Sequence, residues 1–177
     1  LKKAVLTDFP NLEHINLERN ELKTIQLQDL PLLQSLNLSH NQFVKISIKD
    51  LPNVEHLKLY HCQLEKAQIH KMANLVEVNL KENRLHSISL KDLPKLQLLT
   101  LTRNLLEKIQ FAGFESLEKL NIEKNRLREI YLSDLPNLKE LIISDNKVEV
   151  LHLKNLPSLT HLYCSNSKLK KLILEAK

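Results

Sequence analysis

The side chains best suited to chemistry are three histidines and two cysteines. His40, His56 and His61 gather near Tyr60 in the sequence. His40 and His61 occupy matching places in successive segments, so stacking those segments as neighbouring strands brings them to about 5 Å. Two imidazoles at that separation are half of a tetrahedral zinc site, or a contact that changes with pH. Solvated histidines are the simpler reading. Cys62 and Cys164 fall at different places in segments far apart along the array, about 20 Å or more from each other at the spacing of stacked strands, which excludes an intrachain disulfide. Two unbridged thiols fit a reducing compartment, although secreted arrays without bridges also exist. Nothing in the chain sets up catalysis. Acidic side chains recur as surface positions, no glycine-rich phosphate loop is present, and no nucleophile has a base and an orienting partner at motif spacing. The sequence therefore reads as a non-enzyme that needs no cofactor and no metal.

What would position these groups is a repeat. The pattern in LEHINLERN, from Leu12 to Asn20, returns every 21 residues without insertion, opening at Leu12, Leu33, Val54, Leu75, Leu96, Leu117, Leu138 and Leu159. Residues 1–11 supply the tail of an earlier copy, with Leu1, Ala4, Leu6 and Phe9 matching Leu22, Ile25, Leu27 and Leu30. The whole chain, 1–177, is one array in which each copy buries its apolar face on its neighbours. Around Ile15 and Leu17, apolar and polar residues alternate, the signature of a strand with one buried face. After a bend marked by Asn20, the spacing of Ile25 and Leu27 gives a second extended limb, too short for a helix of three turns.

Two positions punctuate every copy. The first is Asn20, repeated as Asn41, Cys62, Asn83, Asn104, Asn125, Asn146 and Ser167, where a buried amide must pair with backbone groups of the bend. Cys62 is read as a small substitute in this ladder. The second is Asp-Leu-Pro, as in Asp29-Leu30-Pro31, which takes all six prolines of the chain and makes a rigid corner. Lys71-Met72-Ala73 and Gly113-Phe114-Glu115 break the rule, so those corners are expected to be looser and, beside Phe111, bulkier.

Composition narrows the partners. With 42% apolar residues, one Gly and a net charge of +5 from interspersed signs, the chain is an ordered domain with a solvated surface. Nucleic acid is disfavoured, and an anionic polymer becomes reasonable only if the basic residues gather on one face. Arg84, Arg126, Lys147 and Lys168 share one column beyond the Asn bend and define that alternative. No apolar run is long enough to enter a membrane. The start lacks the apolar stretch of a signal peptide, but the chain opens in mid-repeat and reads as a trimmed piece. Bare apolar layers at both ends would then continue into further repeats or stack end to end into homo-oligomers, a structural alternative to ligand binding.

The third, fifth and seventh residues of each copy are expected to project from the sheet. Among them His56, Lys58, Tyr60, Leu98, Ile142, His161 and Tyr163 form the candidate partner-binding face, with the apolar and aromatic members as anchors. Asn37-Leu38-Ser39 is a glycosylation sequon that would place a glycan on this same face.

With the LxxLxLxxN phrase, the asparagine ladder and the 21-residue period, the chain resembles the leucine-rich repeat family over essentially its full length. Its short period is similar to that of bacterial internalin-type and BspA-like surface proteins, and LTHLYCSNSKL at Leu159 to Leu169 is close to a bacterial cell-surface variant; the LPNL phrasing equally resembles extracellular animal members. The resemblance implies a β-rich, helix-poor, right-handed solenoid whose parallel sheet lines the concave side and binds a protein or glycan there. It also favours a secreted or cell-surface receptor, adhesin or effector over a cytoplasmic protein. The flanking cysteine caps of animal members and the tail of bacterial ligases are absent from this sequence.

Overall fold

The computed structural model describes residues 1–111 and 114–176. Each copy contributes one strand to an inner sheet and one to the return side. The chain alternates outer and inner strands: β1 (Lys3–Thr7), β2 (His14–Asn16), β3 (Thr24–Gln28), β4 (Ser35–Asn37), β5 (Lys45–Lys49), β6 (His56–Lys58), β7 (Lys66–His70), β8 (Glu77–Asn79) and β9 (Ser87–Lys91). It continues with β10 (Leu98–Thr100), β11 (Gln110–Phe111), β12 (Lys119–Asn121), β13 (Glu129–Ser133), β14 (Glu140–Ile142), β15 (Val150–Lys154), β16 (His161–Tyr163) and β17 (Lys171–Glu175). Among the described residues no helix is long and apolar enough to cross a membrane.

The even-numbered strands form one parallel eight-stranded sheet, in chain order from β2 to β16. Its register is the 21-residue repeat itself: Ile15 faces Leu36, Leu36 faces Leu57, and Leu99 faces Leu120. Leu36, Leu57, Leu99 and Leu120 are wholly buried, each worth about 1.5 to 3 kcal/mol relative to exposure. The outer strands are mostly longer, at five residues, yet they fall into three groups, β1-β3, β5-β7-β9 and β11-β13-β15-β17. A gap of about 250 Å³ lined by Ile25, Leu27, Ile48 and Leu51 opens at the first interruption. The inner path stays continuous while the outer path splits. That is the geometry of a solenoid with the eight-stranded sheet on its concave side.

At the first bend the residue before each ladder member is left-handed: Arg19, His40, His61, Glu82, Arg103, Lys124, Asp145 and Asn166 have φ between 52 and 59°. The buried amide that follows holds the bend. Asn41 Nδ2 donates to the carbonyls of Leu17 (3.0 Å) and Leu38 (2.8 Å), while its Oδ1 accepts from the Leu22 amide at 2.9 Å. Asn41, Asn83, Asn104, Asn125 and Asn146 each join two copies in this way, whereas Asn20 bonds the Leu17 and Glu18 carbonyls of its own. Cys62 keeps half of this function, its thiol donating to the Leu38 carbonyl at 3.2 Å.

The second turn is also left-handed. Asp8, Asp29, Asp50, Asp92 and Asp134 have φ from 53 to 61°, a region that Asp and Asn tolerate better than most side chains. Their role is therefore conformational first. The looser corner expected at Lys71-Met72-Ala73 does not appear. The turn bonds Leu75 N–Met72 O and Leu117 N–Phe114 O are both 3.2 Å, against 3.2 to 3.3 Å in the other copies. Neighbouring layers impose the shape, since Lys71 and Met72 donate to Lys91 and Asp92 of the next copy and Lys71 still takes φ 54°. Gly113 lies outside the described residues. The expected bulk is present, because Phe111 and Phe114 are buried with their rings edge to face at 5.5 Å.

Candidate concave binding face

The inner strands span only the third to fifth residues of each copy, and this sets which side chains reach solvent. His56 and Lys58 on β6, Leu98 on β10, and His161 and Tyr163 on β16 are exposed; Ile142 on β14 is half-buried. The seventh column departs from expectation. Ser39, Thr102 and Ser144 are 0, 6 and 6% exposed, because the strand has ended there and the chain is already turning into the bend, which tucks these small side chains between layers.

Tyr60, also of the seventh column, is half-buried and engaged. Its hydroxyl donates to Glu18 Oε1 at 3.1 Å, two copies away, and Asn37 Nδ2 donates to Glu18 Oε2 at 3.0 Å. The bond from Tyr60 holds the Glu18 carboxyl below its ordinary range, and burial, followed by the Glu18 contact, raises the Tyr60 hydroxyl. Glu18 is thus the hub of a local network whose importance the sequence did not suggest. Of the sequon residues, Asn37 gives its amide to this network and Ser39 is fully buried. Beside it, the His40 ring stands 5.2 Å from that of Tyr60 and 4.9 Å from that of His61, the spacing expected of stacked copies. His61 faces Glu82 at 3.8 Å. Among the described residues no three His, Cys, Asp or Glu side chains come together as a metal site.

The structure sorts the candidates into three places. His56, Lys58 and Tyr60 belong to one copy, where His56 Nδ1 meets Glu77 Oε2 at 3.2 Å. Leu98 stands alone in mid-sheet between Glu77 and Lys119, its neighbours in register. Ile142, His161 and Tyr163 form a cluster: Ile142 pairs with Tyr163 across adjacent strands, and the His161 and Tyr163 rings stack at 6.2 Å with 18° between planes. Leu98 and Tyr163 are 38 and 47% exposed. Lys119 and Glu140 bridge the floor between them at 2.9 Å. The result is an apolar and aromatic step at the C-terminal end of a mainly polar sheet.

The corner side carries a feature the sequence reading missed. Asn53 and Asn137 donate to the carbonyls of Pro31 and Glu115 at 2.6 Å; Ser116 and Ser158 donate to those of Pro94 and Pro136 at 2.7 and 2.6 Å. Asn74 and Lys95 extend the line by bonding Asn53 and Asn74. The signal was a polar residue directly after every corner but the one followed by Leu32, hidden by its changing identity.

The model of a protein family described as leucine rich repeat matches residues 1–43 and 73–127, together more than half of the chain. No curated protein and no solved structure matches it.

Proposed function

This chain belongs to the leucine-rich repeat family, generally a protein-interaction scaffold without catalysis, and from that premise we propose that its concave sheet binds a protein ligand. The observation that carries the proposal is the C-terminal step. Ile142, His161 and Tyr163 present aliphatic and aromatic surface on two strands held in one parallel ladder, so little conformational entropy is lost when a partner covers them. Leu98 extends the contact toward the middle of the sheet, and His56 and Lys58 supply a polar rim. Tyr60 contributes through its bond to Glu18, as a fixed wall rather than a mobile anchor. We place the module within a secreted or cell-surface receptor, adhesin or effector, a placement that rests on the resemblance of its repeats to surface proteins.

Partners recovered from a native extract are to be titrated against three proteins: the parent, a variant with Leu98, Ile142 and Tyr163 changed to Ala, and one with the exposed outer-face Tyr131 changed to Ala. The concave variant should bind at least tenfold more weakly, since each lost anchor costs on the order of 1 kcal/mol or more, with the Tyr131 variant unchanged. Equal affinity of the parent and concave variant would remove the concave sheet as the site.

A further inference from the structure

The basic column beyond the Asn bend survives folding as an exposed stripe, unbroken from Arg126 to Lys168 and interrupted once between Arg84 and Arg126. Arg84, Arg126, Lys147 and Lys168 each directly follow a ladder position and are exposed. The amides of the first three donate to Leu64, Leu106 and Leu127 of the preceding copy at 2.8 to 2.9 Å. Their side chains therefore leave the solenoid at heights fixed by the layers, roughly 4.8 Å apart from Arg126 to Lys168, with Arg84 roughly 19 Å from Lys168. Leu105 takes the intervening place.

The surrounding acids do not neutralise them. Glu82 is shared by His61, Lys81 and Arg103; Glu123 and Asp145 face Lys124; Glu149 is bound by Lys170 at 2.8 Å. Lys170 lowers the Glu149 carboxyl most, with Arg128 and Lys168 adding weaker fields. Exposed Glu107 and Glu129 lie two or three residues further toward the return limb. Among the described residues, none of the four column cations makes an ion pair within 4.0 Å. The first copies have no such column, carrying Glu21, Gln42 and Gln63 in the same place.

We infer that this edge is a second binding site, taking a linear sulfated polysaccharide whose sulfate groups run along the column. A compact anion cannot reach four cations spread over five layers, whereas a linear chain can. A single-stranded nucleic acid would draw on aromatic faces for stacking, and the column has Leu105 instead. An acidic peptide adding as a strand would need unpaired backbone groups, but the amides of this bend are already spent between copies. What remains is recognition of spaced charge by spaced charge, which suits a polyanionic sugar chain.

The test uses the whole chain and a size-defined heparin oligosaccharide as probe, with its desulfated counterpart, a single-stranded oligonucleotide and poly-glutamate as comparators. The variant Arg84→Gln, Arg126→Gln, Lys147→Gln, Lys168→Gln should bind the probe about tenfold or more weakly, its salt slope falling by about one per cation removed. A variant with Lys49, Lys66, Lys95 and Lys154 changed to Gln loses the same charge elsewhere and should match the parent. Arg84→Lys with Arg126→Lys keeps the charge and should retain binding, which separates a charge effect from a folding defect. Full retention of probe binding by the concave alanine variant would show that the two sites are independent. The inference is overturned if the parent does not bind the probe, if both glutamine variants weaken alike, if desulfation changes nothing, or if the oligonucleotide or poly-glutamate binds the column more tightly.

Discussion

Among the described residues the copies turn at two places through left-handed residues that carry side chains, yet the two turns keep very different rules. At the first bend the chain holds asparagine at six of eight places. At the second it accepts Asp, Asn and Lys with the same φ and the same turn bond. The difference is access to water. The first bend buries carbonyls and amides that only a side chain placed among them can satisfy, whereas the corner is exposed and solvent pairs whatever the sequence leaves unpaired. Strictness in the sequence follows the cost of an orphaned backbone group, not the difficulty of the turn.

The sharpest way to break this contrast is Asn104→Ala. It removes an acceptor for the Leu85 amide (3.0 Å) and donors to the carbonyls of Leu80 (2.9 Å) and Leu101 (3.0 Å). Three buried backbone groups lose partners at roughly 1 to 3 kcal/mol each, so stability by denaturant titration should fall by about 3 kcal/mol or more. A loss no larger than that of a corner substitution would end the distinction.

Cys62 offers a test in pH. Burial pushes its thiol up from 9.0 to about 11. Between those values the unfolded state gives up its proton first and the folded state holds it, so stability is intact below about pH 9 and declines toward pH 11. The full loss is on the order of 3 kcal/mol. Urea midpoints measured across that window should show the decline in the parent, and Cys62→Ser should show less. Restoring the rule with Cys62→Asn should add about 1 kcal/mol at neutral pH, by returning an acceptor for the Phe43 amide that a thiol serves poorly; a thermal midpoint at or below the parent's would say that the site has adapted to sulfur.

Corner changes should register least. Pro136→Ala is expected to cost about 0.4 to 1 kcal/mol through the freedom it gives the unfolded chain. Asn137→Ala should cost about 0.5 kcal/mol, because water can replace its exposed bond to Glu115. Differential scanning calorimetry on both would show whether the corner ladder is more than a surface feature.

The layered core and the ladder were legible in the sequence because they depend on residue type at fixed spacing. Leu36, Leu57 and Leu99 had to be buried by their period alone, and the pairing of Ala4 with Ile25 follows from the same count. The corner line from Asn53 to Ser158 escaped notice because Asn, Lys and Ser fill one geometric role with different chemistry. The seventh column was misjudged at Ser39, Thr102 and Ser144 because alternation was carried past the end of a strand only three residues long. At the candidate face the sequence identified Ile142, His161 and Tyr163, but not that they would meet. Nor could it show Tyr60 tied to Glu18, since that bond spans 42 residues and depends on how far side chains reach across intervening layers.

The uniform register between copies has a mechanical consequence. Pulled apart by its two ends, the chain has no single core to rupture. The C-terminal copy is held by one inner and one outer ladder with Ser167 in the asparagine place, an interior copy such as the seventh also shares an asparagine with its neighbour, and these peel in succession rather than together. A released copy of 21 residues adds about 70 Å of extended chain in place of a layer about 5 Å thick. Extension traces should therefore rise in repeated steps of that length, with weaker steps where the outer sheet is interrupted. A tether built this way yields by increments and keeps the remaining layers folded under load.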